Sequence, residues 1–170
     1  IPGTALHLGT NIIAVEVHQV NSTSSDIVWG LALDATSFFT NATSIVINEV
    51  LADNSSLTNN DGTITDWVEL YNPSAVPVNL AGYSLSDDPS VSGRWVFPTG
   101  ASIAPGGFVV VRCDSTTPPS TTNGPVLNTG FGLNSAGDEL CLFTPGGALF
   151  DSVVFGPQAA DFALGHPTDG

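Results

Sequence analysis

Of 170 residues, 16 are Asp or Glu and only two are basic, Arg94 and Arg112, so the formal net charge is −14. Phosphates and anionic lipid are gripped by clustered cations, and a chain this poor in them is unsuited to nucleic acid or to a charged membrane surface. No apolar run approaches the about 18 residues of a spanning helix, which argues against membrane insertion. The chain holds 18 Gly, 12 Pro and 11% charged residues, and no window keeps an apolar 3.6-residue period over three turns. Short Val, Ile and Phe runs between turn residues recur instead, and they predict an all-β fold.

In chain order, the first expected strand runs from Leu8 to Gln19. Ile13, Val15 and Val17 share one face, and Glu16 and His18 the other. Ser24-Ser25-Asp26 turns the chain into a second strand, Ile27 to Leu33, which carries Trp29. Together they resemble the last two strands of a galactose-binding-like jelly-roll domain. Residues 1–36 are read as a C-terminal remnant of such a domain and residues 37–43 as a linker. Two strands bury no core and leave their edges open. They are expected to pack on an upstream domain, on the following sandwich or on another copy of the chain, with Phe38 and Phe39 docked at the junction.

A short apolar strand from Ile45 then carries Asn48-Glu49, and an Asn/Asp/Gly/Thr loop leads to a second strand, Asp66-Trp67-Val68-Glu69-Leu70-Tyr71-Asn72, closed by Pro73. Val78 to Asp87, Arg94-Trp95-Val96-Phe97-Pro98, and Ile103 to Val111 with its Pro105-Gly106-Gly107 turn follow. The series ends with Asn128 to Leu133, Gly137 to Phe143, and Asp151 to Gln158. Each landmark alone is weak, but their order closely resembles the bacterial lamin-tail domain, an immunoglobulin-like β-sandwich found in exported multidomain proteins. The resemblance covers residues 44–170 and implies a module that binds or builds. Its C-terminal end, Gly165 to Gly170, stops where such domains usually continue, so the sandwich is read as incomplete there. Eukaryotic lamin tails are linked with DNA and chromatin, a property that the charge of this chain does not support.

Several residue groups are candidates for chemistry. The loop Asp53 to Asp66 is rich in oxygen ligands of the kind that hard cations favour, which makes Asp53, Asp61 and Asp66 candidate calcium ligands. The competing reading is a turn-forming loop whose Asn, Asp and Gly satisfy backbone groups. Cys113 and Cys141 lie in apolar strands. They form either a disulfide, which an extracellular setting favours, or two buried thiols. Glu49 and Glu69 stand on adjacent-looking strands, but in this pattern carboxylates more often hydrogen-bond backbone or an Arg than work as a catalytic pair.

His7, His18 and His166 show no metal-ligand spacing. Trp29, Tyr71 and Tyr83 are candidates for ligand stacking, whereas Trp67 and Trp95 are expected in the core or packing the sandwich end. Asn21, Asn41 and Asn54 begin N-glycosylation sequons, and Ser115 to Thr122 reads as a flexible or O-glycosylated connection.

These features point to a non-catalytic extracellular or cell-surface module, structural or adhesive, without an obligatory cofactor. It is expected to meet neighbouring domains or copies of itself through strand edges. The alternative is a carbohydrate-binding accessory module of a secreted hydrolase, with polysaccharide as the partner.

Overall fold

A computed structural model describes residues 45–59 and 61–166. The expected jelly-roll remnant over residues 1–36, with Trp29, and the linker over 37–43 lie outside the described residues. Within them the chain is all-β, with eleven strands: β1 (Val46–Leu51), β2 (Asp66–Tyr71), β3 (Val78–Asn79), β4 (Ser84–Ser86), β5 (Trp95–Val96), β6 (Ser102–Ile103), β7 (Phe108–Cys113), β8 (Leu127–Asn128), β9 (Asp138–Phe143), β10 (Leu149–Phe155) and β11 (Leu164–Gly165). Two sheets make the sandwich, a five-stranded one ordered β11-β1-β2-β7-β8 and a four-stranded one ordered β10-β9-β4-β5, and β3 pairs with β6. All pairings are antiparallel except β7 with β8.

Alternation decides which side chains enter the core. Val68 and Leu70 of β2, Val111 and Cys113 of β7, Leu85 of β4, and Leu140 and Leu142 of β9 form one buried cluster with Phe97 and Trp95. Burying each large apolar side chain contributes roughly 1.5–3 kcal/mol. The indole of Trp95 lies 4.5 Å from the Phe97 ring and donates from Nε1 to the Ser120 carbonyl at 3.0 Å. The expectation that Trp95 packs in the interior holds.

The Asn48-Glu49 landmark has a mechanical role. Ile47 pairs with Leu70 and Glu49 pairs with Glu69, so Asn48 is the extra residue of a β-bulge. Asn48 is almost fully buried, and its amide donates to Glu69 Oε1 at 2.9 Å. The bulge re-aims the strand, and the side chain of the extra residue ties it to the neighbour.

Two other asparagines hold the long connections. Asn72, fully buried, reaches the carbonyls of Val76, Ile103 and Ala104 and accepts from the Ser74 N–H and hydroxyl. Asn128 reaches the carbonyls of Asp114, Thr117 and Pro118 and accepts from the Asp114 N–H. Polar side chains persist at such depth because they satisfy backbone groups that no strand partner reaches. Gly130 follows at φ 75°, and a Cβ there would sit 2.8 Å from Pro119, so the chain can only pass this point as glycine.

Candidate functional site

An unpaired strand edge offers a row of backbone donors and acceptors to any extended chain, and short edges limit that exposure. Among the described strands the two main sheets end on β11, β8, β5 and β10. The first three are two residues long, and β10 has seven. A register shift at Phe150 bends the first half of β10, and Asp151 Oδ2 there accepts from the Ile47 N–H of β1 at 2.8 Å. Beyond it, Ser152 to Phe155 carry no charge. Leu149 and Val154 on this strand are 55% and 71% exposed.

The outer face of the five-stranded sheet makes a second candidate surface. Register sets Tyr71 opposite Phe108, Glu69 opposite Val110 and Trp67 opposite Arg112. Their neighbours Val68, Leu70 and Val111 point inward, so these six side chains point out. Tyr71 stacks on Phe108 with ring centroids 4.7 Å apart. Beside them a groove of about 320 Å³ is lined by Trp67, Val110, Glu69, Arg112, Asp61 and Leu57 among others. Arg112 Nη1 donates to Asp61 Oδ2 at 2.9 Å. The Thr63 hydroxyl and N–H also donate to Asp61 and, ahead of the Arg112 charge, hold its carboxyl below the ordinary value. The other basic residue, Arg94, is paired with Asp87 and lies over the Phe131 ring.

The expected calcium ligands do not converge. Asp61 is engaged by Arg112 and Thr63, while Asp66 accepts from the Asn54 N–H at 3.0 Å and is pushed up by burial. Asp53 accepts from the Ser55 hydroxyl. Among the described residues no three His, Cys, Asp or Glu side chains gather as a metal group. The oxygen atoms of this loop serve the loop itself. Asn54 donates to the carbonyls of Leu57 and Thr65, Asn59 donates to Thr63 and Thr65, and Asp161 accepts from the N–H groups of Ser55 and Ser56. The Asn54 sequon nitrogen is therefore already engaged.

The expected disulfide between Cys113 and Cys141 is absent, and both are free, buried thiols. Cys113 belongs to β7 in one sheet and Cys141 to β9 in the other. Facing sheets lie about 10 Å apart, beyond the roughly 4.4–6.8 Å Cα separation of a disulfide. Moreover Leu140 and Leu142 are in the core cluster and Cys141 is not, so its side chain points away from the opposite sheet. Burial, with the Glu139 charge beside it, pushes the Cys141 thiol up to about 11, and burial raises Cys113 further.

The stacking candidates are drawn into separate contacts. Tyr71 lies on β2 against Phe108, whereas Tyr83 precedes β4 of the other sheet and meets the Phe150 ring edge-on at 5.8 Å. They share no platform. Trp67, expected in the core or packing the sandwich end, lies on the outer face of the five-stranded sheet and lines the groove. Glu49 and Glu69 do stand opposite one another, but Glu69 is an acceptor for the bulge asparagine. His166 follows β11, and its N–H donates to the Asn48 carbonyl.

The order of these strands, the bulge at Asn48-Glu49 and the Trp95–Phe97 core pair accompany a family match: the Lamin Tail Domain model covers residues 39–157. The chain belongs to the lamin-tail domain family. No curated protein and no solved structure matches it. This lamin-tail domain is an immunoglobulin-like structural unit, compatible with a non-catalytic module. Sequence reasoning missed the role of Trp67 and the contrast among the edges. The alternation Trp67-Val68-Glu69-Leu70-Tyr71 carried the first signal, because it sets Trp67 on the same face as Glu69.

Proposed function

We propose that this lamin-tail domain is a non-catalytic structural or adhesive module of an exported, surface-exposed protein, and that it assembles with further copies of itself through β10. One observation carries the reading. β10 alone among the described edge strands of the two main sheets is long, and its outer half is uncharged with Val154 71% exposed. Two such segments paired antiparallel would place no like charges opposite one another, which favours the pairing. The acidic balance supports a protein partner over nucleic acid or anionic lipid. An extracellular setting fits the family resemblance to exported proteins and the solubility that net charge confers.

Light scattering across a concentration series tests this on the full chain. Mass should rise with concentration, and it should rise further with added salt, because screening relieves the repulsion between copies of charge −14. Val154→Lys, a charge on the edge, should return the chain to a monomer with an unchanged melting temperature. A wild-type monomer at every concentration and salt level would remove the self-assembly reading.

A further inference from the structure

The groove on the β2–β7 face lies on a different sheet from β10 and carries an inference independent of it. We infer that this groove is a binding site for a neutral saccharide, with the apolar face of a sugar ring on Trp67 and Val110 and its hydroxyls on Asp61, Glu69 and Arg112.

Four observations lead there. The groove, about 320 Å³, lies at the small end of the roughly 300–1,000 Å³ typical of ligand sites. Its walls combine an indole and aliphatic surface from Leu57, Val110, Pro125 and Val126 with polar groups set among them, Arg112 opposite Trp67 and Glu69 opposite Val110. That is the pairing a sugar ring requires, since it presents C–H groups on its faces and hydroxyls at its rim. The polar groups are also fixed before any ligand arrives. Asp61 is held by Thr63 and Arg112, Arg112 by Asp61, and Glu69 by Asn48. Little side-chain freedom is then lost on binding. Finally, β2 and β7 are hydrogen-bonded to each other along the floor through six register pairs, and β2 also pairs with β1. β2 therefore has no free edge, and β8 covers β7 at Val111 and Arg112, so at the Trp67–Arg112 end recognition has to come from side chains.

Charge selects the ligand class. The Arg112 charge is spent on Asp61, which leaves the Glu69 carboxylate as the net charge of the three, on a chain of −14. Acidic polysaccharides and phosphorylated ligands are repelled. A small cation would meet the Glu69 charge but leave the indole and aliphatic wall unused, whereas a sugar ring engages both. Vicinal hydroxyls can donate to the remaining lone pairs of the two carboxylates and accept from the guanidinium.

Native affinity electrophoresis of the full chain reads this directly, since the acidic chain migrates strongly towards the anode. The probes are soluble neutral polysaccharides of gluco, xylo, manno and galacto configuration cast in the gel, with polygalacturonate as the acidic comparison. Hexalysine, titrated by calorimetry, tests the cationic alternative. At least one neutral polymer should retard the chain, with little salt dependence, and polygalacturonate should not. Trp67→Ala should weaken retardation at least tenfold. Because that variant removes a large side chain, Val110→Gln provides a second reading: it leaves the strand intact and sets a longer amide over the floor opposite Glu69. It should weaken retardation comparably at an unchanged melting temperature. The inference is overturned if no neutral polymer retards the chain, if retardation survives Val110→Gln, or if hexalysine alone binds, in a salt-sensitive manner.

Discussion

The edges of this domain are of two kinds. β5, β8 and β11 are two residues long, and their flanking chain is tied down: Asn128 closes the loop beside β8, Trp95 of β5 donates to Ser120, and Asp161 fastens the segment before β11 to Ser55 and Ser56. β10 is seven residues long and fastened only near Asp151 among the described contacts to β1, with an uncharged outer half. Protecting an edge takes specific residues, so edges without such protection are where a β-module can accept a partner. The contrast teaches that the covered edges depend on a few specific hydrogen bonds, while the open one depends on the lack of them.

The largest effect should come from undoing a covered edge. Asn128→Ala deprives the Asp114, Thr117 and Pro118 carbonyls of their donor and the Asp114 N–H of its acceptor. Unsatisfied groups that are partly buried cost towards the low end of about 1–3 kcal/mol each, so the loss should be about 3 kcal/mol by urea unfolding. An equal loss in Val154→Lys would erase the distinction between the two kinds of edge.

Acid should act in two stages. Burial raises Asp66 and Asp87, so lowering the pH from neutral first protonates groups that the folded state prefers neutral, and stability should rise. Asp61, Asp88, Asp114 and Asp161 are held low chiefly by Ser and Thr donors. Their stabilisation is complete above the ordinary carboxylate value and is lost as the pH falls through their depressed folded values. Urea midpoints from pH 7 to pH 2 should therefore pass through a maximum near about pH 4 and then decline. A steady fall from pH 7 would contradict the assignment of Asp66 and Asp87.

The smallest effect concerns the fastened half of β10. Phe150→Ala removes the edge-on contact with Tyr83, with an aromatic-pair term of about 0.5–1.5 kcal/mol. The loss is expected near that range by the same unfolding assay, and association should persist, since the open half begins beyond Asp151.

Much of the fold was legible because its landmarks are local. Pro105-Gly106-Gly107 sets a turn whatever surrounds it, and alternation in β2 and β7 sorts inward from outward residues. Pairing across the sandwich is not local. Cys113 and Cys141 sit in similar apolar strands, and nothing in either strand says that they lie in different sheets. That Asp53, Asp61 and Asp66 do not gather has a related reason. Composition revealed that the loop from Asp53 to Asp66 is rich in oxygen, but Arg112, 51 residues away from Asp61, is among the groups that take up those atoms. Likewise Ser115 to Thr122 read as a loose connection because Asn128, which holds much of it, comes later in the chain. The groove needed two strands and two loops at once, and the alternation in β2 that sets Trp67 beside Glu69 was its one local trace.

The contrast among the edges is tested most directly by amide hydrogen exchange on the full chain, read at low and at high protein concentration. The account predicts that amides of β10 from Ser152 to Phe155 gain protection at high concentration, while those of β5, β8 and β11 do not change. Unchanged exchange in β10, or protection gained at one of the short edges instead, would contradict it.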